Sequence, residues 1–205
     1  MDISTQRTID RIAGTVICGM FSIFDALRPQ GPHPTVVRNI LVIFLSEMGS
    51  LTLAYPMIQR LKEMYPNTSI SILTFERNKE IIDILGYADD EKTIVIRDNS
   101  FIQLTTDSLR AMRQIRRADP EVVIDGELFS RISSIYAFLS GAPVKVGFDR
   151  YTQEGLYRGS FINRPVLYNP YLHIARQFIN LAEAIRDEEM PKSKRIVSVD
   201  RLALP

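Results

Sequence analysis

Beyond residue 38, the chain alternates short apolar runs with stretches of helical periodicity. The first run, residues 40–45, is apolar at every position, which is typical of a strand covered on both faces of its sheet. The next stretch, residues 51–64, repeats apolar residues at helical spacing and predicts a helix that ends before Pro66. By the same criteria the sequence predicts strands at 70–75, 93–96, 122–125 and 144–147, and helices at 79–85, 101–117, 128–139 and 171–186.

The order of these elements predicts an α/β fold with a Rossmann-like parallel sheet flanked by helices, because strands joined through single helices pair in parallel. In such sheets ligands bind beyond the carboxyl ends of the strands, where loops and helix N-termini meet. That rule selects residues 46–50, 97–100, 125–130 and 147–150 as segments where a functional site is expected.

The first 38 residues follow a different pattern. Their uncharged apolar stretch, residues 12–24, would rise only about 20 Å as a helix, short of the roughly 30 Å hydrocarbon core of a bilayer. We therefore expect no transmembrane span, and no good signal-peptidase site follows the stretch. Its spacing instead predicts an amphipathic helix with one apolar face. That face carries Ile9, Ile12, Ala13, Val16, Ile17, Met20, Phe24 and Leu27.

The other side of this N-terminal amphipathic helix is polar, and arginines lie near its ends. The polar residues are Asp10, Thr15, Ser22 and Asp25, and the arginines are Arg7, Arg11 and Arg28. Two interpretations remain open. In the first, residues 7–28 contact a membrane surface, with the apolar face among acyl chains and the arginines near lipid phosphates. In the second, the apolar face packs on the core of this protein or on a partner.

Three regions follow from these patterns. Residues 1–38 comprise the amphipathic helix and a Pro-rich linker that begins near residue 28. Residues 39–190 form the Rossmann-like domain. Residues 191–205 are interpreted as the start of an interdomain linker or of a further domain.

Charge and composition argue against several kinds of site and partner. With 25 Lys and Arg residues against 24 Asp and Glu residues, the net charge of +1 gives no support for nucleic-acid binding. Two histidines and one cysteine are too few for a structural zinc site, and we expect no metal. Because Cys18 has no partner for an internal disulfide, we expect a reducing, cytoplasmic location rather than export.

The turn after the first strand, residues 46–50, is the first candidate site. Gly49 would let the backbone bend sharply, and the unpaired N–H groups at the start of the helix could bind an anion or a sugar hydroxyl. Glu47 is placed to act as a base or a hydrogen-bond acceptor. The alternative is that Ser50 caps the helix and Glu47 is solvated. The usual dinucleotide, P-loop and nucleophile-elbow motifs are absent from the sequence.

The segment after the fourth predicted strand is the second candidate site. Asp125 could orient a substrate hydroxyl, and Arg131 could bind a phosphate or pair with Glu127. The alternative is a helix cap with a local ion pair. Further along, Arg150 and Arg158 lie in a loop rich in aromatic residues and glycine. Such a loop suits sugar recognition, because rings stack on sugar faces while arginines bind hydroxyls, but it is equally compatible with a packed surface loop.

Two weaker signals complete the analysis of charged and polar residues. The predicted helix 101–117 carries a cationic face that could bind anionic lipid or a lipid-linked phosphate, although such a face is more often simply solvated. This face consists of Arg110, Arg113, Arg116 and Arg117. His173 is expected to cap its helix or to bond the backbone.

Taken in order, several segments resemble glycosyltransferase family 9, the ADP-heptose:lipopolysaccharide heptosyltransferase family. The resemblance covers about residues 39–186. It rests on residues 40–50 and 53–62, on Tyr65-Pro66, on residues 140–148 and on the helix that opens at His173.

This resemblance implies the N-terminal half of a GT-B glycosyltransferase, which binds the saccharide or lipid-linked acceptor. A C-terminal domain would bind the nucleotide-sugar, which is a co-substrate, so that no cofactor is expected. It further implies a metal-independent, inverting transfer, in which a base deprotonates the acceptor hydroxyl as the nucleotide diphosphate leaves. The acceptor-binding residues would be Ser46, Gly49, Asp125, Glu127, Arg131, Arg150 and Arg158.

Two departures from the family pattern matter. Ser50 stands where the family has the aspartate taken as catalytic base, and a hydroxyl is far too weak a base near neutral pH. Glu47, on the same turn, is our candidate substitute. The chain ends at Pro205, where the donor domain should begin. By itself we therefore expect it to be inactive unless a separate polypeptide supplies that domain.

The leading hypothesis is thus the acceptor-binding half of a heptosyltransferase-like enzyme. The resemblance implies that it acts at the cytoplasmic face of the inner membrane on a lipid-linked or lipopolysaccharide-type acceptor. The alternative, favoured by Ser50, is a non-catalytic Rossmann-like binding or interaction module. An enzyme acting on a small phosphorylated metabolite is a third possibility, but no motif supports it.

Overall fold

A computed structural model of the chain describes residues 10–27, 34, 36–45, 48–128, 130–148 and 158–186. Several predictions concern residues outside these ranges. They are the roles of Ser46, Glu47 and Arg150, the positions of Arg7 and Arg28, most of the Pro-rich linker, and the assignment of residues 191–205.

Six strands form one sheet, and every neighbouring pair is parallel. The strands are β1 (Asn39–Ile43), β2 (Ser69–Phe75), β3 (Thr93–Ile96), β4 (Val122–Asp125), β5 (Val144–Phe148) and β6 (Arg164–Val166). Their order across the sheet is β3-β2-β1-β4-β5-β6. The predicted Rossmann-like α/β fold is therefore confirmed.

The described residues form six α-helices, of which five cover the two faces of this sheet. The six helices are α1 (Thr15–Ala26), α2 (Met48–Met64), α3 (Lys79–Leu85), α4 (Phe101–Ala118), α5 (Arg131–Leu139) and α6 (Ile174–Glu183). Helices α2, α3 and α6 pack on one face, and α4 and α5 pack on the other. Helix α1, which continues one turn of π-helix at Asp10–Gly14, packs on α5.

The central strand explains why both faces carry helices. In and just after β1, Ile40, Val42 and Phe44 contribute to the core under α2, α3 and α6. The alternate residues Leu41 and Ile43 contribute to the core under α4 and α5. Successive side chains of a strand point to opposite faces, so an uninterrupted apolar run requires apolar cover on both sides.

Several bounds differ from the predicted ones by one to three residues, as at α2, which begins at Met48 rather than at residue 51. Three other differences have a physical reason. Strand β6 was not predicted, because it is short and contains Pro165, which a sheet tolerates at its edge. Helix α5 begins at Arg131 rather than at residue 128, because its first N–H groups bond the side chain of Asp10. Helix α6 is shorter than the predicted 171–186, and His173 caps it as expected, with Nδ1 accepting from Ala175 N at 3.3 Å.

Helix α1 packs with its small and polar side inward. Gly14, Cys18 and Ser22 are buried against the body of the protein, whereas the apolar face stays exposed. The phenyl ring of Phe21 at the edge of the buried side stacks on Phe138 of α5, with centroids 4.3 Å apart. The apolar face of α1 thus does not pack on the described core of this protein. None of the helices described has the length and hydropathy that a membrane span requires.

Candidate functional site

The chain reverses its direction of winding between β1 and β4. From β1 it adds β2 and β3 on one side, and from β4 it adds β5 and β6 on the other. Ligands of open parallel sheets bind beyond the carboxyl ends of the two strands at such a switch point. The segments after β1 and β4 are those that the sequence analysis selected, so the topology brings both candidate sites to one place.

A buried polar network closes the carboxyl end of β4. The carboxylate oxygen Oδ2 of Asp125 accepts from the hydroxyl of Ser133 at 3.1 Å and from that of Ser134 at 3.0 Å. Arg158 forms an ion pair with the same oxygen through Nη2, and its Nε donates to Ser134 Oγ at 3.0 Å. Asp125 is fully buried and Arg158 is nearly so. Because each charge has a partner of opposite sign and hydroxyl contacts, the burial of the pair is compensated.

Glu127 connects this network to the segment that follows β1. Its backbone N–H donates to Asp125 Oδ1 at 3.1 Å, and its carbonyl accepts from Arg158 Nη1. Its own carboxylate accepts from the backbone N–H of Leu45 at 2.7 Å. Leu45 directly precedes residues 46–47. The carboxylate of Glu127 therefore holds the chain directly before the segment at residues 46–50 for which the sequence predicts a turn.

The two strand ends approach each other so closely that only glycine fits at position 126. Gly126 N donates to Ile43 O at 3.1 Å. A Cβ on Gly126 would lie 2.3 Å from Cε1 of Phe44, whose ring packs edge-on against Phe178 of α6. Since the ring is held in the core, larger residues at 126 would push β1 and β4 apart.

Gly49 and Ser50 lie within the first turn of α2. Gly49 has no positive φ, and nothing would lie within 4 Å of a Cβ at this position. Neither the backbone conformation nor the surroundings therefore require glycine there, in contrast to the reason given from the sequence. Ser50 is the third residue of the helix and half-buried. It is not the residue that precedes α2.

Arg131 meets a partner that the sequence analysis did not identify. Its guanidinium pairs with Asp10 Oδ2 at 3.3 Å. Oδ1 of the same carboxylate accepts from the backbone N–H groups of Arg131 at 2.9 Å and Ile132 at 3.1 Å. Ser130, which precedes the helix, makes no capping bond with its side chain. A carboxylate from the N-terminal helix therefore occupies the helix N-terminus at which an anion was expected to bind.

Of the site residues predicted from the sequence, the structure brings Asp125, Glu127 and Arg158 into one network. Arg131 joins Asp10 instead, and Gly49 and Ser50 lie at the neighbouring helix start. The contributions of Ser133 and Ser134 were missed. The sequence does contain a signal for them. Ser133 and Ser134 lie in the first turn of the helix that follows Asp125, and hydroxyls at such positions can reach the end of the preceding strand. The role of Asp10 carries no such local signal.

The described residues also line a pocket of about 550 Å³, which lies at the opposite edge of the sheet. Its walls include the starts of β4, β5 and β6 and the turn before β2. Because ligands of this sheet type bind at the carboxyl edge, we do not place the candidate site in this pocket. Among the residues that the structure describes, no cluster of three His, Cys, Asp or Glu side chains could hold a metal ion.

Several solved structures of glycosyltransferases are similar to this chain. The glycosyl transferase family 9 protein from Veillonella parvula DSM 2008 matches with a TM-score of 0.61 and 19% identity, over 74% of this chain and 42% of that one. E. coli heptosyltransferase WaaC with ADP-2-deoxy-2-fluoro heptose matches with a TM-score of 0.60 and 16% identity, over 76% and 50%. E. coli ADP-heptose lps heptosyltransferase II matches with a TM-score of 0.56 and 16% identity, over 70% and 40%.

These matches are structural only. The sequence matches no protein-family model and no curated protein. The chain spans at most half the length of the structures it resembles. The resemblance to glycosyltransferase family 9 stated from the sequence is confirmed at the level of the fold, which this chain shares with part of each of these heptosyltransferase-type structures.

Proposed function

We propose that the chain is the acceptor-binding domain of a heptosyltransferase-like glycosyltransferase. The enzyme would transfer a sugar from a nucleotide-sugar to a lipid-linked or lipopolysaccharide-type acceptor. The observation that carries this proposal is the structural match of 76% of this chain to half of a heptosyltransferase that holds ADP-2-deoxy-2-fluoro heptose. The nucleotide-sugar would be held by a second domain, in the same protein or in a separate polypeptide.

The proposed chemistry requires a base beside the acceptor hydroxyl. An inverting transfer removes the hydroxyl proton while the oxygen attacks the sugar carbon and the nucleoside diphosphate leaves. A serine hydroxyl cannot take that proton near neutral pH, whereas a carboxylate can. We assign this role to Glu47, because it belongs to the turn between β1 and α2, and Ser50 occupies the position of the family aspartate without its function.

The buried network has a positioning role in this proposal. Glu127 holds Leu45, two residues before Glu47, and is itself held by Asp125 and Arg158. Because these side chains are buried and bonded to one another, we assign them to the geometry of the turn rather than to contact with the acceptor. Ser46, Gly49 and Arg150 remain as proposed contacts of the acceptor.

The test replaces the proposed base by its neutral amide in a protein that contains this chain and a donor domain. Release of ADP or UDP from the nucleotide-sugar is measured with a lipopolysaccharide-core acceptor. Glu47→Gln should lower kcat by about 10²-fold or more with little change in the KM for acceptor. Glu80→Gln, at an exposed carboxylate on α3, is the matched control, and Ser50→Ala should retain activity. Unchanged turnover in Glu47→Gln would exclude Glu47 as the base.

The alternative of a non-catalytic binding module is supported by two observations. Ser50 replaces the family base, and Asp10 occupies the N-terminus of α5. A titration of the 205-residue chain with ADP-sugars and UDP-sugars separates the hypotheses further. The acceptor-domain proposal expects no tight binding of either nucleotide-sugar, so tight binding would contradict the proposed division between acceptor and donor domains.

A further inference from the structure

Helix α1 is attached to the protein through small and polar residues. Gly14, Cys18 and Ser22 recur every fourth position and form its buried side. At Gly14 the approach to α5 is so close that a Cβ would lie 2.8 Å from Cβ of Arg131. Ser22 Oγ accepts from Ser160 N at 2.9 Å. The contacts that hold α1 in place therefore fix its orientation, with the apolar face directed away from the protein.

The outward side of α1 is a continuous apolar stripe. Residues at three- and four-residue spacing share one side of a helix, so their side chains adjoin. Six of them are between 59% and 79% exposed. They are Ile12, Val16, Met20, Ile23, Phe24 and Leu27. An exposed apolar patch of this kind on a folded protein indicates an interaction surface, unlike single scattered apolar residues.

Charges on α1 are segregated between its two sides. The acidic residues are turned inward and paired, Asp10 with Arg131 at 3.3 Å and Asp25 with Lys145 at 3.9 Å. Arg11, in contrast, is exposed. No unpaired carboxylate therefore accompanies the apolar stripe within the described part of this helix.

Helix α4 lies on the same face of the sheet and has a related outward side. Ala111 and Ile115 of α4 face the core. Because successive residues of a helix are rotated by about 100°, the opposite side of α4 carries Ile102, Leu109, Arg113 and Arg116. All four of these outward side chains are exposed. The neighbouring side chains of Arg110 and Arg117 are exposed as well. This helix thus adds positive charge and two further apolar side chains to the same face of the molecule.

We propose that the outward face of α1 and α4 binds the surface of a membrane that contains anionic lipids. The stripe of α1 would enter the boundary between headgroups and acyl chains, and the arginines of α4 would contact lipid phosphates. Charge selects this occupant over a second copy of the chain. Asp10 and Asp25 of α1 are paired inward and Asp107 of α4 is buried, so the same face of a second copy would, in its described residues, offer the exposed arginines no carboxylate, whereas anionic lipids offer phosphates. The inference does not depend on the proposed transfer reaction.

The first test measures binding of the 205-residue chain to sedimented vesicles of phosphatidylcholine, with and without one quarter phosphatidylglycerol. The triple variant Val16→Ser, Met20→Ser, Phe24→Ser should reduce the partition coefficient for the anionic vesicles by about 10-fold or more. Its control is Ile84→Ser, at a residue of similar exposure (63%) on α3, which covers the other face of the sheet. Circular dichroism confirms that the variants fold, which is expected because the substituted side chains are exposed.

The second test separates the charge contribution from the apolar one. The variant Arg113→Gln, Arg116→Gln should reduce binding to the anionic vesicles by about 10-fold and leave binding to pure phosphatidylcholine unchanged. Added salt should weaken binding of the wild-type chain but have less effect on this variant. Arg176→Gln, at an exposed arginine of α6 on the opposite face, is the control and should bind as the wild type does.

Two results would overturn the proposal. One is the absence of binding by the wild-type chain to anionic vesicles at low ionic strength. The other is a dimer in sedimentation velocity that the triple variant of α1 converts to monomer, because a second copy would then cover the stripe. Unchanged turnover in Glu47→Gln together with intact vesicle binding would contradict the proposed base and leave the membrane proposal standing, so the two proposals fail independently.

Discussion

The first and last helices of the described chain, α1 and α6, are both amphipathic but are buried in opposite ways. Helix α6 turns Phe178, Ile179, Leu181 and Ala182 inward, and Phe178 packs edge-on against Phe44 at 5.2 Å between centroids. Helix α1 turns small and polar residues inward and leaves its apolar stripe exposed. Helical periodicity therefore shows that a helix has two different sides, but not which side meets the protein.

The difference also concerns what holds each helix in place. Burial of one large apolar side chain contributes about 1.5–3 kcal/mol, and α6 gains this contribution several times. Helix α1 depends instead on the stacking of Phe21 on Phe138 and on polar contacts of Asp10 and Ser22. We infer that α6 is part of the cooperative core, whereas α1 can separate from α5 at a smaller cost in free energy.

The largest expected effect comes from comparing one phenylalanine on each helix. Phe178→Ala on α6 should lower the free energy of unfolding by about 3–5 kcal/mol, because it leaves a cavity between α6 and β1. Phe24→Ala on α1, where the ring is 69% exposed, should change it by less than about 0.5 kcal/mol. Urea denaturation monitored by circular dichroism measures both. Equal losses would show that the stripe of α1 is covered within the folded chain.

The second largest effect is expected in the buried polar network at the carboxyl end of β4. Arg158→Met removes the cation and leaves the carboxylate of Asp125 buried with hydroxyl and backbone donors only. We expect a loss of about 3 kcal/mol in the free energy of unfolding. The double variant with Asp125→Asn should recover part of that loss, because no charge then remains uncompensated. Arg176→Met, at an exposed arginine, is the control, and a similar loss there would contradict this interpretation.

The smallest effect concerns the attachment of α1 itself. Asp10→Ala removes the side chain that caps α5, a change expected to cost about 1 kcal/mol. Cys18 reports on it, because burial raises the pKa of its thiol to about 11 and makes it unreactive while α1 is docked. Reaction with a thiol reagent at pH 8 should become about 5-fold faster in Asp10→Ala. Thr15→Ala is the control, since that hydroxyl bonds only within the helix region, to Arg11 O. An unchanged rate in Asp10→Ala would refute the role of Asp10 as the anchor.

The elements that the sequence predicts best are those whose signal is local. The strand at Thr93–Ile96 and the helix at Lys79–Leu85 have the predicted bounds, and β1 contains the first four residues of the apolar run predicted at 40–45. Strand β6 is missed because three residues with a central proline carry no strand signal and pair only through the neighbouring β5. Local propensity cannot reveal an element that exists because a partner is already in place.

The candidate site likewise has some features that the sequence predicts and others that only the structure reveals. The sequence places Asp125, Glu127 and Ser50 at strand ends and helix starts, since these positions follow from element order. It does not reveal that Glu127 bonds the backbone of Leu45, or that Asp10 caps a helix 121 residues further along the chain. These contacts depend on three-dimensional distances, for which no spacing in the sequence is a guide.

The sequence by itself determined the α/β fold, because periodicity and element order leave few ways to bury the apolar faces. It also determined that the N-terminal helix has one apolar side. Only the tertiary structure decided that this side faces outward. The reason is that Gly14 allows α1 to approach α5 closely and Asp10 has its partners on α5, so close packing and pairing of charges, rather than apolar burial, set the orientation of the helix.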